Sequence, residues 1–147
     1  MSIVIAGFPG IGKSYFKENH LDLKVLDSDS SSFSKKSDFP LNYIRTIKSH
    51  LRSTDVILVS THEVVREALT RFGIEHIIVA PEASASERER YVQRYRERGS
   101  SEQFISLIED NWFDWLLDIG KGSNVHTLAS GEYLEDAWQS NPDWWQW

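Results

Sequence analysis

Residues 7 to 14 read GFPGIGKS, between a β-branched apolar run and a helix-like segment. This junction constrains the fold more than any other stretch. Residues 3–6 suit a buried strand, and residues 13–20 suit a short helix. Glycines between the two let backbone N–H groups converge on one point without side chains intervening. The pattern G-x-x-x-x-G-K-[ST] is matched in full, and the strand-to-helix context is the one that gives it meaning. Such a loop cradles phosphate oxygens, so Gly7, Phe8, Pro9, Gly10, Ile11, Gly12, Lys13, Ser14 and Tyr15 are the expected nucleotide contacts. Lys13 is expected to neutralise the outer phosphates, the Ser14 hydroxyl to ligate Mg²⁺, and the helix that follows to add its positive end.

The rest of the chain alternates in kind. Strands are predicted over residues 23–26, 56–59 and 74–80, the last stopped by Pro81, with a weaker fifth over 124–129. Helices are predicted from Pro40 through the Ile44, Ile47 and Leu51 stripe, and after Thr61 as a cap, ending at Gly73. Ser84 with Glu87, and Ser100 with Gln103, read as capping boxes for two further helices. Phe104, Ile108, Trp112, Trp115 and Ile119 mark one face of the second of these, and "GEYLEDAWQ" reads as a last short helix. Residues 28–38 are a serine-rich loop with Phe33 stranded in it. Strands alternating with helices predict a three-layer, doubly wound α/β fold on a parallel five-stranded sheet. No repeat or linker divides residues 1–147, so one domain is expected.

Composition narrows the classes. With 40% apolar and 26% charged residues the chain is globular in character. No apolar run is long enough to span a bilayer, and "MSIVIAGF" carries no basic leader, so a cytoplasmic protein is expected. The absence of cysteine excludes disulfides and thiolate metal sites. A net charge of −6 argues against non-specific duplex binding. Four of the six tryptophans (Trp138, Trp144, Trp145 and Trp147) crowd the last ten residues. This tail is expected to fold back on the domain, or to contact a partner or a second copy.

Two carboxylates carry the chemical reading. In open α/β sheets ligands gather at the carboxyl ends of the strands. The second predicted strand runs into "LDSDS", which puts Asp27 and Asp29 on the rim that holds the glycine loop. Asp27, at the strand end, is the nearer to a metal position. Asp29, further out, is better placed to accept a proton from an attacking hydroxyl. The third strand ends in Ser60, Thr61 and His62 rather than in an aspartate, so Ser60 and Asp27 are left to complete the metal shell. Further along, Arg90, Arg94 and Arg98 share one face of a helix, a supply of positive charge for a transferring phosphoryl group.

The motif, in its context, resembles the P-loop nucleoside triphosphate-binding family. "LDSDS" is similar to the strand-two ends of shikimate kinases and phage polynucleotide kinases. In those groups a carboxylate matching Asp29 contacts the acceptor hydroxyl, and in shikimate kinases one matching Asp27 helps place magnesium. "RYRERG" is similar to the lid of phage polynucleotide kinases, which implies a mobile lid over residues 84–100 with Arg94 and Arg98 as its working arginines. Together with "NYI", "VSTHEVVREAL" and "NWFDWL", the likeness extends over residues 2–118 to small phage and prophage P-loop kinases, described as nucleoside or nucleotide kinases, and includes 5-hydroxymethyluracil DNA kinases.

The resemblance implies ATP and Mg²⁺ as cofactors. It implies a nucleoside, a nucleotide or a short or flipped DNA segment as acceptor, and a phage gene product in the host cytoplasm. It also implies that the helices after strands two and three face the acceptor, where Phe33 or Tyr43 would stack on a base and Arg45 or Arg66 would meet a phosphate. His62 either touches the acceptor or caps a helix. The purine loop is expected near Ser130 and Gly131. Two other readings stay open: a nucleoside monophosphate kinase clamped by Arg45 and Arg66, and a non-catalytic nucleotide-binding switch.

Overall fold

β1 (Ile3–Gly7) is the central strand of a five-stranded sheet, with neighbours on both sides. A computed structural model describes residues 2–30 and 33–145. The serines at 31 and 32 and the end of the tryptophan tail, Gln146 and Trp147, lie outside the described residues. The elements that follow are α1 (Lys13–Asn19), β2 (Val25–Asp27), α2 (Leu41–His50), β3 (Val56–Val59), α3 (Glu63–Arg71), β4 (Ile77–Pro81), α4 (Ala85–Glu97), α5 (Glu102–Ile119), β5 (Val125–Leu128) and α6 (Leu134–Ser140), closed by a 3₁₀ turn over Pro142–Trp144.

The sheet order is β2-β3-β1-β4-β5 and every pair is parallel. Ile3 lies opposite Val56 and Ile5 opposite Ile77. Parallel strands covered on both faces must be apolar throughout. β3 obeys this, with all four residues of VILV buried. The edge strand β2 does not: Val25 and Leu26 are half-buried and Asp27 is exposed. Helix contacts fall into two sets, α1 with α6 and β2, against α2 with α3 and α4 with α5 on β4. Right-handed crossovers put α1 on the face opposite α2 and α3, because the chain moves in opposite directions along the sheet after β1 and after β2.

Local chemistry sets the boundaries. The Ser84 hydroxyl accepts from the Glu87 N–H at 3.2 Å and starts α4. The Glu87 side chain does not reach back to complete a box; it turns to Arg90 and Ser130. Gly99 closes α4 at φ 79°, with its own N–H bonded to Arg96 and the Ser100 N–H to Tyr95, a Schellman end. Ser100 is thereby used, and Ser101 rather than Ser100 caps α5. Thr61 does not cap α3: His62 takes that position, with no side-chain bond. Pro81 is the last residue of β4, beyond the point where pairing with β1 has ended. α5 buries Ile105, Ile108, Trp112, Leu116 and Ile119, a stripe rotated from the expected one, which leaves Phe104 and Trp115 only half-buried. At the C-terminus Trp145 folds back, its ring stacked on Trp138 at 6.0 Å and its indole N–H donating to the Trp138 carbonyl at 2.9 Å.

Among the described residues no helix is long and apolar enough to cross a membrane. Ile57 is fully buried in β3, whereas Leu117 is 62% exposed. Urea denaturation is expected to show Ile57→Ala losing about 2–5 kcal/mol and Leu117→Ala changing stability by less than about 0.5 kcal/mol.

Candidate functional site

The glycine loop leaves β1 between two buried anchors. Phe8 is inserted under it, edge-on to Trp112 at 5.5 Å and near Tyr91 at 6.4 Å, and Ile11 is wholly buried. Gly10 and Gly12 turn the chain at φ 92° and 91°. The three carbonyls from Pro9 to Ile11 are each tied back to a distant element. Pro9 O accepts from the Tyr95 hydroxyl at 2.7 Å, Gly10 O from Arg94 Nη1 at 2.9 Å, and Ile11 O from the Leu134 N–H at 2.8 Å. In a trans peptide the next N–H points opposite the carbonyl. Fixing carbonyls 9 and 11 therefore turns the Gly10 and Gly12 amides the other way. The N–H groups of Gly10, Gly12, Lys13 and Ser14 meet no acceptor among the described residues. α1 has only seven residues, so these loop amides matter more than its dipole.

The loop opens on a cleft of about 760 Å³ lined by Pro9, Gly10, Gly12, Lys13, Ser14 and Tyr15 on one side. Asp27, Asp29 and Ser60 line it at the strand ends, and Arg94, Arg98 and Tyr133 close the far wall. Lys13 Nζ donates to Gly7 O at 3.2 Å. Burial pushes the Lys13 ammonium below its ordinary pKa, Asp27 and Asp29 pull it back up, and Arg98 adds to the lowering. Asp27 and Asp29 are exposed because the strand alternation continues past β2: Ser28 and Ser30 turn inward. Ser28 is fixed at both ends, its N–H on Leu58 O at 2.8 Å and its carbonyl accepting from the Tyr43 hydroxyl at 2.6 Å. Ser30 and Ser60 share a hydrogen bond at 3.0 Å.

The arginines approach from a packed helix. Tyr91 and Tyr95 of α4 are wholly buried, and burial pushes the Tyr91 hydroxyl up to about 12. The Arg94 guanidinium lies 4.3 Å from the Tyr91 ring centre and 3.9 Å from that of Tyr133. Arg98 sits over Tyr95 at 4.9 Å and donates to Ser100. Arg90 faces Glu87 and Ser130 instead.

Beyond Lys13 a second cavity of about 560 Å³ opens, with His62 and Arg66 on its wall. Arg66 is engaged there, donating to Thr61 O and to Asp118 at 2.8 Å each. Its hydrogen bond holds the Asp118 carboxyl below the usual range. Three expected acceptor contacts are not brought to either cavity. Tyr43 is fully buried, its hydroxyl pushed up to about 12 by that burial, so its ring offers no stacking face. Phe33 packs on Tyr43 at 5.2 Å. Arg45 faces solvent, paired with Asp38 at 2.5 Å.

Tyr133 is a cleft residue that its sequence position did not reveal. It lies just past the expected purine loop and touches Gly12, where an added Cβ would come within 3.0 Å of its ring. Phe104 is another: it lines both cavities. Among the described residues no three His, Asp or Glu side chains converge on a metal position. Ser14 and Asp27 nevertheless both line the cleft, a donor pair suited to Mg²⁺, which keeps several waters and takes the rest of its shell from substrate phosphates. Comparison with protein-family models and with curated proteins returned no match.

A Cβ on Gly10 would lie 2.9 Å from the Tyr95 ring, whereas one on Gly99 would meet nothing within 4 Å. Both glycines have left-handed backbone. Gly99→Ala is expected to cost about 1–2 kcal/mol, and Gly10→Ala about 1–3 kcal/mol more, as read by chemical denaturation.

Proposed function

We propose that the chain is an ATP- and Mg²⁺-dependent kinase of the P-loop type, transferring the γ-phosphoryl group to a hydroxyl. The observation that carries this is the meeting of three kinds of group in one cleft. Loop amides with Lys13 and Ser14 form one wall, Asp27 and Asp29 the strand-end rim, and Arg94 and Arg98 the other wall. The sheet order and the central β1 support the same reading.

Each group has a task. The loop amides, with Lys13, bind the donor phosphates. Ser14 and Asp27 hold Mg²⁺, which offsets phosphate charge. Asp29 takes the proton of the acceptor hydroxyl as its oxygen attacks phosphorus and the bond to the bridging oxygen breaks. Arg94 and Arg98 stabilise charge on the transferring group. Arg94 is already oriented by Gly10 O and two tyrosine rings, so it needs little reorganisation. On this reading α4 corresponds to the lid, and its buried tyrosines make it a docked one. Transfer to a monophosphate is less well served, since Arg45 faces solvent and Arg66 is engaged by Asp118.

The test is transfer of labelled γ-phosphate from Mg-ATP to nucleosides, nucleoside monophosphates and oligonucleotides, including DNA with 5-hydroxymethyluracil. Label is expected on a hydroxyl. Asp29→Asn is expected to lower kcat by about 10²–10⁴-fold, whereas a monophosphate kinase would lose much less. ATP binding with no acceptor-stimulated turnover would favour a switch over a kinase.

A further inference from the structure

A third cavity, of about 820 Å³, opens at the amino ends of β1, β4 and β5, on the rim of the sheet opposite the phosphate cleft. It shares no lining residue with the cleft or with the cavity beyond Lys13, so it is a separate space. We propose that it binds an aliphatic polyamine, a flexible carbon chain carrying two or more ammonium groups. The proposal does not rest on the kinase reading.

One part of the wall is apolar. Ile3 and Val4 begin β1, Ile77 begins β4, and Ile74 lies in the connection from α3. Such surface takes methylene groups out of water. Trp144, in the closing 3₁₀ turn, stands at right angles to the His126 ring at 5.1 Å and lines the same space. An indole attracts an ammonium group through its ring face and packs against a carbon chain. The volume is in the range that holds one small organic molecule.

The polar part of the wall is rich in acceptors. Glu75 and Asp143 line the cavity, and among the described residues neither side chain makes an ion pair or a hydrogen bond. Asn124 Nδ2 donates to His76 O at 2.6 Å, while Asn124 Oδ1 accepts from no donor among the described residues. His76 Nδ1 donates to Ile74 O at 2.9 Å, since a carbonyl can only accept, and Nε2 is left without a partner. No lysine or arginine lines the cavity. Two unpaired carboxylates with no cation beside them favour a ligand with at least two positive charges. Each ammonium brings three donors and no acceptor, the complement of this wall. The carbon chain between the ammonium groups meets the isoleucines and the indole.

Calorimetric titration of the full chain at low ionic strength tests this with four probes: spermidine, cadaverine, pentylamine and the uncharged diol of cadaverine's length. Spermidine is expected to occupy one site per chain, with affinity falling from spermidine to cadaverine to pentylamine and no binding of the diol. Added salt is expected to weaken it. Three variants accompany the wild type, all at exposed residues, so the fold is spared. Glu75→Gln with Asp143→Asn removes both charges, and Ser123→Trp fills the cavity without changing charge. Asp110→Asn with Asp114→Asn removes two charges from α5, outside the cavity. The first two variants are expected to weaken spermidine about tenfold, and the third less than about threefold. Absence of saturable binding, equal loss in the two charge-pair variants, or indifference to Ser123→Trp would overturn the proposal. Phosphoryl transfer is measured on the same samples. Its absence with spermidine binding intact refutes the kinase reading alone, and transfer without spermidine binding refutes this proposal alone.

Discussion

Three hydrogen bonds to consecutive loop carbonyls, at Pro9, Gly10 and Ile11, hold the arrangement on which the rest of the site depends. Backbone groups cannot be left unpaired in a buried place without cost. Tyr95, Arg94 and the Leu134 amide satisfy the carbonyls from behind, and among the described residues the N–H groups of Gly10, Gly12, Lys13 and Ser14 are left without an acceptor, on the cleft side. On the reading proposed above, the loop is prepared for an anion before one arrives, and little ordering remains for the ligand to bring about. The same bonds tie the loop to α4 and to the start of α6, the two elements that carry Arg94 and Tyr133 into the cleft.

That clamp explains why cations and carboxylates coexist in one small space. The chain is acidic overall, at −6, yet Lys13, Arg94 and Arg98 converge in the cleft. Lys13 loses hydration there, and Asp27 and Asp29 partly compensate. Arg94 is kept in place by two tyrosine rings and a carbonyl rather than by a carboxylate. Among the described residues no carboxylate pairs with it, so on the kinase reading its charge is available to a transferring phosphoryl group.

Much of this was legible in the sequence, and the limits have physical causes. GFPGIGKS between a β-branched run and a helix announced the loop, because only glycines permit that turn. The apolar runs of β3 and β4 announced a parallel sheet, and "LDSDS" put two carboxylates at a strand end. The clamp was not legible. Its side chains come from 84 and 86 residues further along the chain, and tyrosines on a charged helix read equally well as core. Tyr133 was hidden for the same reason. Tyr43 and Arg45 line neither the cleft nor the second cavity because helical spacing says which residues share a face, not which way α2 turns that face: Tyr43 went to the core and Arg45 to solvent. Ser100 closes the Schellman end of α4 with its N–H and accepts from Arg98 Nε with its hydroxyl, so the cap of α5 falls to Ser101.

The central claim is that the clamped loop is a triphosphate site. Calorimetric titration with Mg-ATP, and with AMP for comparison, tests it without reference to any acceptor. One site per chain is expected, with AMP binding at least tenfold more weakly and Lys13→Ala costing at least tenfold in ATP affinity. The absence of ATP binding, equal affinity for AMP, or binding indifferent to the loss of Lys13 would contradict it.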